Sequence, residues 1–195
     1  MYEWAITQST APTVEPILNA EARLHARIEE DEDDTLVDNL IVAARQYSEH
    51  ETGRQYITAT WKLYLNNFQR EIVLPRPPLG TVSSIKYLDT NGDQQTLVDT
   101  VYQVSTEDEP ARITLAYGQS WPACRVIKDS IVVEYTAGYG AAGSSVPAAA
   151  RQAMLLYISH LYENREPVII GVSASPIPMT ISALHDAVPR VGFIW

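Results

Sequence analysis

A chain of 195 residues, 46% apolar and 19% charged, has room for one ordinary domain or two small ones and the composition of a folded protein. Its formal net charge of -10, with no run of Lys and Arg, argues against a sequence-independent nucleic-acid binder, because such proteins gain affinity by neutralising phosphates. A single cysteine, Cys124, excludes an internal disulfide and a multi-cysteine metal site, which fits a reducing compartment.

Residues 1–20 are rich in Thr, Pro and small side chains and read as an extended arm, followed by a short helix over 21–28. The start lacks the positive flank and apolar run of a secretory leader, and no stretch reaches the ~20 apolar residues that span a bilayer, so the expectation is a chain soluble when made, with no membrane partner. The acidic run Glu29-Glu30-Asp31-Glu32-Asp33-Asp34 precedes an amphipathic helix in which Leu36, Val37, Leu40, Ile41, Ala44 and Tyr47 share a face. Carboxylates there complement the positive end of the helix dipole, and Gly53 is the natural C-terminal stop.

From Ile57 the period changes to two, with Ile57, Ala59, Trp61, Leu63 and Leu65 on one side. Further strands are expected over 71–74, 82–88, 96–104, 112–117 and 126–135, punctuated by Pro75-Arg76-Pro77-Pro78, Asn91-Gly92 and Trp121-Pro122. Connections this short favour an antiparallel meander. A second long helix starts at Val146-Pro147 and ends before Pro167, and its apolar face of Ala150, Ala153, Met154, Tyr157, Ile158 and Leu161 is widened by Leu155 and Leu156. A helix apolar nearly all round reads as buried both in its own domain and against a neighbouring subunit. The tail from Val168 is apolar and proline-punctuated, with a short helix over 181–187, and its apolar surface needs a cover, in a partner or in the chain's own sheet. The fold class is therefore α+β: a helical layer of two long helices and a short N-terminal one, with an inserted antiparallel β-domain and extended terminal arms. The expected segments are an arm and first helix over 1–56, the β-domain over 57–140, the second helix over 141–167 and a docking arm over 168–195.

No Gly-x-Ser-x-Gly elbow is present, and His25, His50, His160 and His185 stand without a nucleophile pattern. His160 and Glu163 have the one-turn spacing of carboxylate-bridged metal sites, which need several such contributions, so a helix-surface hydrogen bond is the better reading. Asp89-Thr90-Asn91-Gly92-Asp93 begins like a calcium loop, but its glycine falls early and Thr100 stands where the bidentate glutamate belongs; an Asn-Gly hairpin turn explains it. The glycines of Ala137-Gly138-Tyr139-Gly140-Ala141-Ala142-Gly143 lack the Lys-Ser/Thr of a phosphate loop. No catalytic, cofactor or metal residue is assigned, and the chain is not expected to be an enzyme.

Several motifs occur in an order with a known counterpart. These are Leu40-Ile41-Val42-Ala43-Ala44-Arg45 with Glu51-Thr52-Gly53-Arg54, Leu74-Pro75-Arg76-Pro77-Pro78-Leu79 with Val82 to Tyr87, and the strand ending in Ala137-Gly138-Tyr139-Gly140. Val146-Pro147 and Tyr162-Glu163-Asn164-Arg165-Glu166 complete the series. The series resembles the head-to-tail connector (adaptor) proteins of tailed bacteriophages. Pro178, Ile181, Leu184, Pro189 and Arg190 follow the family's C-terminal pattern more loosely, and the apolar ending Gly192 to Trp195 departs from it. The resemblance implies a structural virion protein at the head-tail interface, made in the host cytoplasm, that forms a homo-oligomeric ring of twelve or thirteen subunits. That ring binds the portal above and a tail-side protein (stopper, tail terminator or nozzle) below, and encloses DNA without reading its sequence. The expected portal-docking residues are Pro178, Ile181, Leu184, Pro189 and Arg190 from the resemblance, with Phe193, Ile194 and Trp195 added for their apolar surface. The implied ring interface is Met154, Leu155, Tyr157, Ile158, Leu161, Tyr162, Glu163 and Arg165. Two other readings are a tail-completion or stopper ring, and a carbohydrate-binding or hydrolytic module using the tyrosine-rich β-domain.

Overall fold

The period-two stretches beyond residue 57 become strands because each offers an apolar side to one core. A computed structural model describes residues 4–29, 33–164, 179–189 and 191. Over these residues the protein is α+β and divides into two units: one of residues up to Pro12 together with Thr58–Tyr139, the other of Thr13–Ile57 with the described residues from Gly140 on.

The first unit holds two antiparallel sheets. Strands β1 (Trp4–Thr10), β2 (Ala59–Leu65), β8 (Ile131–Ala137), β4 (Leu79–Leu88) and β5 (Gln94–Thr96) form one, in the order β1-β2-β8-β4-β5. Strands β3 (Glu71–Val73), β7 (Arg112–Leu115) and β6 (Tyr102–Ser105) form the other, in the order β3-β7-β6. Leu63, Leu65, Ile72, Leu74, Ile85, Ile113, Ile131, Val133 and Tyr135 meet in its core. Burial of each such side chain contributes about 1.5–3 kcal/mol.

The strand order departs from a meander. β8 lies between β2 and β4, paired in unbroken register with β2 from Ala59↔Ala137 to Leu65↔Ile131. Its alternation of buried Ile131, Val133, Tyr135 and Ala137 with half-buried neighbours suits a central strand. Two expected strands are shorter than their sequence suggests. The stretch 96–104 is broken by a 3-10 turn at Asp99–Val101, and 126–130 is loop, with Asp129 in the left-handed region at φ 57. The N-terminal stretch read as an arm contains β1, which pairs with β2 from Trp4↔Leu65 onward.

The second unit is helical among its described residues: α1 (Asn19–Ala26), α2 (Asp34–Thr52), α3 (Ala148–Glu163) and α4 (Met179–Asp186). α3 packs on α1, α2 and α4. Val37, Ile41 and Ala44 of α2 and Ala150, Ala153, Met154 and Ile158 of α3 are buried, as their spacing predicts. Pro147 sits at the N-cap of α3, one position before the first helical residue. The helix ends at Glu163, where the Asn164 side chain donates to the His160 carbonyl at 2.9 Å.

Candidate functional site

The residues expected to act lie on α3 and in the C-terminal segment, so the site is built from these two elements and what holds them. α3 is fixed to α1 by Arg151, whose Nη2 donates to both carboxylate oxygens of Glu21 at 2.7 and 2.6 Å. Tyr157 stacks on Tyr47 of α2 with ring centroids 4.5 Å apart, and burial raises the pKa of its phenol. Tyr162 donates to Asp33 Oδ2 at 2.5 Å, and Arg23 Nη1 donates to Asp34 Oδ1 at 2.7 Å. The end of the acidic run thus tethers α3 and α1. Asp34 does lie in the first turn of α2, as the dipole argument expects, but Asp33 at the N-cap makes no side-chain capping bond. Residues 30–32 lie outside the described residues.

The proposed ring-interface residues fall into three groups. Met154 and Ile158 are 1% and 0% exposed, and Leu155 is also buried, so all three belong to the core of the unit. Tyr157, Leu161 and Tyr162 are half-buried and Glu163 is exposed. Arg165 lies outside the described residues.

The docking residues divide in the same way. Ile181 is fully buried, with His185 and Val188 on the same side of the segment, and α4 packs on α3 and α2. Leu184 is half-buried and Pro189 exposed, whereas Pro178, Arg190, Phe193, Ile194 and Trp195 lie outside the described residues. Two main-chain contacts clasp the segment beyond α4 to the end of α2. Arg54 Nε donates to the Pro189 carbonyl at 2.6 Å, and the Val191 N–H donates to the Thr52 carbonyl at 3.0 Å, satisfying an orphan acceptor of the last helical turn. Gly53 is required here twice over. Its φ of 69° is left-handed, and a Cβ at this position would meet the Val191 carbonyl.

Beneath this clasp lies a buried polar network that the sequence alone does not reveal. Ser48 Oγ is 2.8 Å from His185 Nε2 and 2.9 Å from the Tyr56 hydroxyl, and Thr52 Oγ1 donates to the Ser48 carbonyl at 2.8 Å. A Ser-His pair at this distance has the reach of a nucleophile and its base. Both residues are 1% exposed, however, so no substrate carbonyl can approach, and the pair serves to seat α4. Ser48 and His185 stand 137 positions apart, and nothing local in the sequence signals the contact.

A second network lies at the start of the unit. Arg45 donates to Glu15 at 2.7 Å and to Glu49 at 3.1 Å. Burial opposes the Arg45 charge, but hydrogen bonds and attraction from Glu15 and Glu49 outweigh it and raise its pKa. Glu49 also accepts from Gln55 Nε2 at 2.7 Å and from the Tyr56 N–H at 3.0 Å. Beside it, Val14, Ile17, Leu18, Ile41 and Val42 line an apolar groove of about 250 Å³, with the Asn19–Asp38 hydrogen bond at its rim.

In the sheet unit, Asp89 is occupied by its own turn. Its Oδ1 accepts from the N–H groups of Asn91, Gly92 and Asp93 at 2.9 to 3.0 Å, and Gln95 donates to Oδ2 at 3.0 Å. The hairpin reading of this stretch holds, with Gly92 at φ 98°. The His160 ring lies 3.4 Å from the Asn164 amide, which replaces the expected Glu163 contact. Among the described residues no three His, Cys, Asp or Glu side chains group as metal ligands do, and no helix is long and apolar enough to cross a membrane.

Neither a protein-family model nor a curated protein matches the chain. Its fold does match solved structures. A chain in the neck of an empty gene transfer agent (GTA) particle, computed with C6 symmetry, aligns with a TM-score of 0.78 at 23% identity, over 97% of both chains. Chains from the virion of the native gene transfer agent particle and from its neck computed with C12 symmetry align with TM-scores of 0.76 and 0.71, at 23% and 21% identity and the same coverage. The fold is thus one found in particle necks.

Proposed function

We propose that the chain is a structural protein of the neck of a phage-like particle. In this reading it assembles as a ring of twelve subunits, or thirteen, below the portal, joins the filled capsid to the tail and continues the DNA channel. The observation that carries the reading is the likeness to gene transfer agent neck chains over 97% of both chains, through the sheet unit and the helical unit alike. The symmetric necks of those particles fit a ring of identical subunits, and a heterologous contact that closes is the economical way to make one. A net charge of -10 suits a collar through which duplex DNA slides without sticking.

Within the ring, the neighbour-facing residues of α3 are Tyr157, Leu161, Tyr162 and Glu163, continued by Arg165. Met154, Leu155 and Ile158 support them from the core. The portal-docking set is Leu184, Pro189 and Arg190 with Pro178, Phe193, Ile194 and Trp195, and Ile181 anchors it to its own subunit. Removing 178–195 would strip Ile181, His185 and Val188 from the helical core, so the clean truncation is residues 192–195.

Analytical ultracentrifugation of the chain alone and with the portal ring of the same genome tests the reading. Co-sedimentation as a stoichiometric ring is expected, weakened by the 192–195 truncation. A chain that stays monomeric and ignores the portal would overturn it.

A further inference from the structure

Asn91 is the one asparagine of the chain that a glycine follows. An Asn-Gly bond is the kind most easily deamidated, because a residue without Cβ leaves its nitrogen unhindered to close on the asparagine side chain. In that reaction the Gly92 nitrogen loses its proton and attacks Asn91 Cγ. A new N–Cγ bond forms, the bond from Cγ to the side-chain nitrogen breaks, and ammonia leaves. Water then opens the cyclic succinimide at either carbonyl, giving aspartate or an isoaspartate whose main chain runs through the side chain. Asn91 is exposed, so water reaches it. In the hairpin that joins β4 to β5, however, the attacking atom is engaged. The Gly92 N–H donates to the Asp89 carbonyl at 3.0 Å and to Asp89 Oδ1 at 3.0 Å.

We infer that Asn91 is a deamidation site built into the sheet unit, and that the Asp89 carboxylate holds it shut. The reason is one of direction. When an amide nitrogen is deprotonated, its in-plane lone pair points where the N–H pointed, which here is at two oxygens of Asp89, in the space that Asn91 Cγ would have to occupy. The charge of the carboxylate also opposes an anionic nitrogen 3.0 Å from it. Oδ1 is itself fixed, since it accepts from the Asn91 and Asp93 N–H groups as well, and Gln95 Nε2 ties the other oxygen at 3.0 Å. These bonds, led by that from Gln95, hold the carboxyl below the usual aspartate range, so the charge is in place at neutral pH. The other side of the same peptide group is gripped too, for Arg125 Nη2 donates to the Asn91 carbonyl at 3.1 Å and to the Thr90 carbonyl at 3.3 Å. A guanidinium there draws electrons from the peptide and by itself makes the Gly92 proton easier to remove, so the restraint falls to Asp89. The peptide plane has to turn before attack, and turning it breaks bonds on both sides.

The test follows the full chain at neutral pH by peptide mapping. Trypsin cuts after Lys86 and Arg112, and the peptide 87–112 between them holds no other asparagine. Deamidation reads as the mass gain from exchange of NH2 for OH, and as separate aspartate and isoaspartate peaks. The parent, Asp89→Asn, Asp89→Ala and a synthetic peptide of residues 87–96 are compared, with circular dichroism as the check on folding. The parent should deamidate at residue 91 roughly tenfold or more slowly than the peptide, as a turn that must open first requires. Asp89→Asn keeps a side-chain acceptor without the charge and should fall between the two, and Asp89→Ala should approach the peptide. A parent as fast as the peptide would overturn the inference, because nothing would then be held shut. Asp89→Asn no faster than the parent would overturn the assignment to the carboxylate, and this variant decides the matter where Asp89→Ala does not fold. Slower deamidation in folded Asp89→Ala than in the parent would reverse the role of Asp89, from a restraint to an acid that helps ammonia leave.

Discussion

Glu49 is the residue on which the start of the helical unit turns. It is 6% exposed and accepts from Arg45, Gln55 and the Tyr56 main chain, so its removal leaves the buried Tyr56 N–H without this acceptor and takes one of two carboxylates from Arg45, which keeps Glu15. Glu49→Ala should cost about 2 kcal/mol, and Glu49→Gln less, read by urea denaturation; equal stability of Glu49→Ala and the parent would show that the network contributes nothing. Asp89 makes the opposite kind of contribution, on the surface. The Gln95 side chain and the Asp93, Asn91 and Gly92 N–H groups, outweighing a small desolvation effect, hold its pKa below the usual aspartate value. A lowered folded pKa means that the stabilisation is fully present above the ordinary value of about 3.9 and is lost as pH falls through the lower one. NMR titration of the Asp89 carboxyl should therefore show its midpoint below that of a model aspartate, and Asp89→Ala should remove that acid-side component. Such residue-scale bonds were only partly legible in the sequence. The Asn-Gly turn announces itself through local chemistry, whereas the Ser48–His185 contact joins positions 137 apart and has no local signature.

At the scale of elements, the C-terminal segment behaves as part of the helical core. Ile181→Ala should destabilise the chain by about 2–4 kcal/mol, through lost burial and the cavity left behind. Leu184→Ala, at a half-buried position, should cost clearly less, and a reversed order by chemical denaturation would mean that α4 is not seated as described. α2, α3 and α4 could be read from periodicity and end signals, because Gly53 and Val146-Pro147 punctuate apolar stripes of the right width. Composition hides the first strand. Thr, Ser and Pro around residues 7–16 look like coil, yet Trp4 and Ile6 already alternate with Ala5 and Thr7, and the half-buried positions of β1 are those two. Over 96–104 the apolar Leu97, Val98 and Val101 suggest one continuous strand, but Asp99–Val101 closes a 3-10 turn there.

For the whole molecule, the alternation of a strand tells which face is buried and nothing about which strand lies beside it. That is why the central place of β8 was not legible, while the α+β class was. Charge acts at this scale as well. With a net charge of -10 and no basic run, the free chain should leave the anisotropy of a labelled DNA duplex unchanged even at low salt; a rise that disappears with added salt would contradict the proposed frictionless channel wall.

The position of β8 also governs when the sheet can exist. β2 and β4 both need it as their common neighbour, and β1 in turn pairs only with β2 among the described strands, so the sheet has no completed centre until residue 137 has left the ribosome. At about 5–20 residues per second, roughly 130 residues of synthesis separate β1 from that moment, an interval on the order of ten seconds. During translation the apolar sides of Leu63, Leu65 and Ile85 wait without their partner, and the nascent chain depends on not meeting another copy before its own last strand arrives.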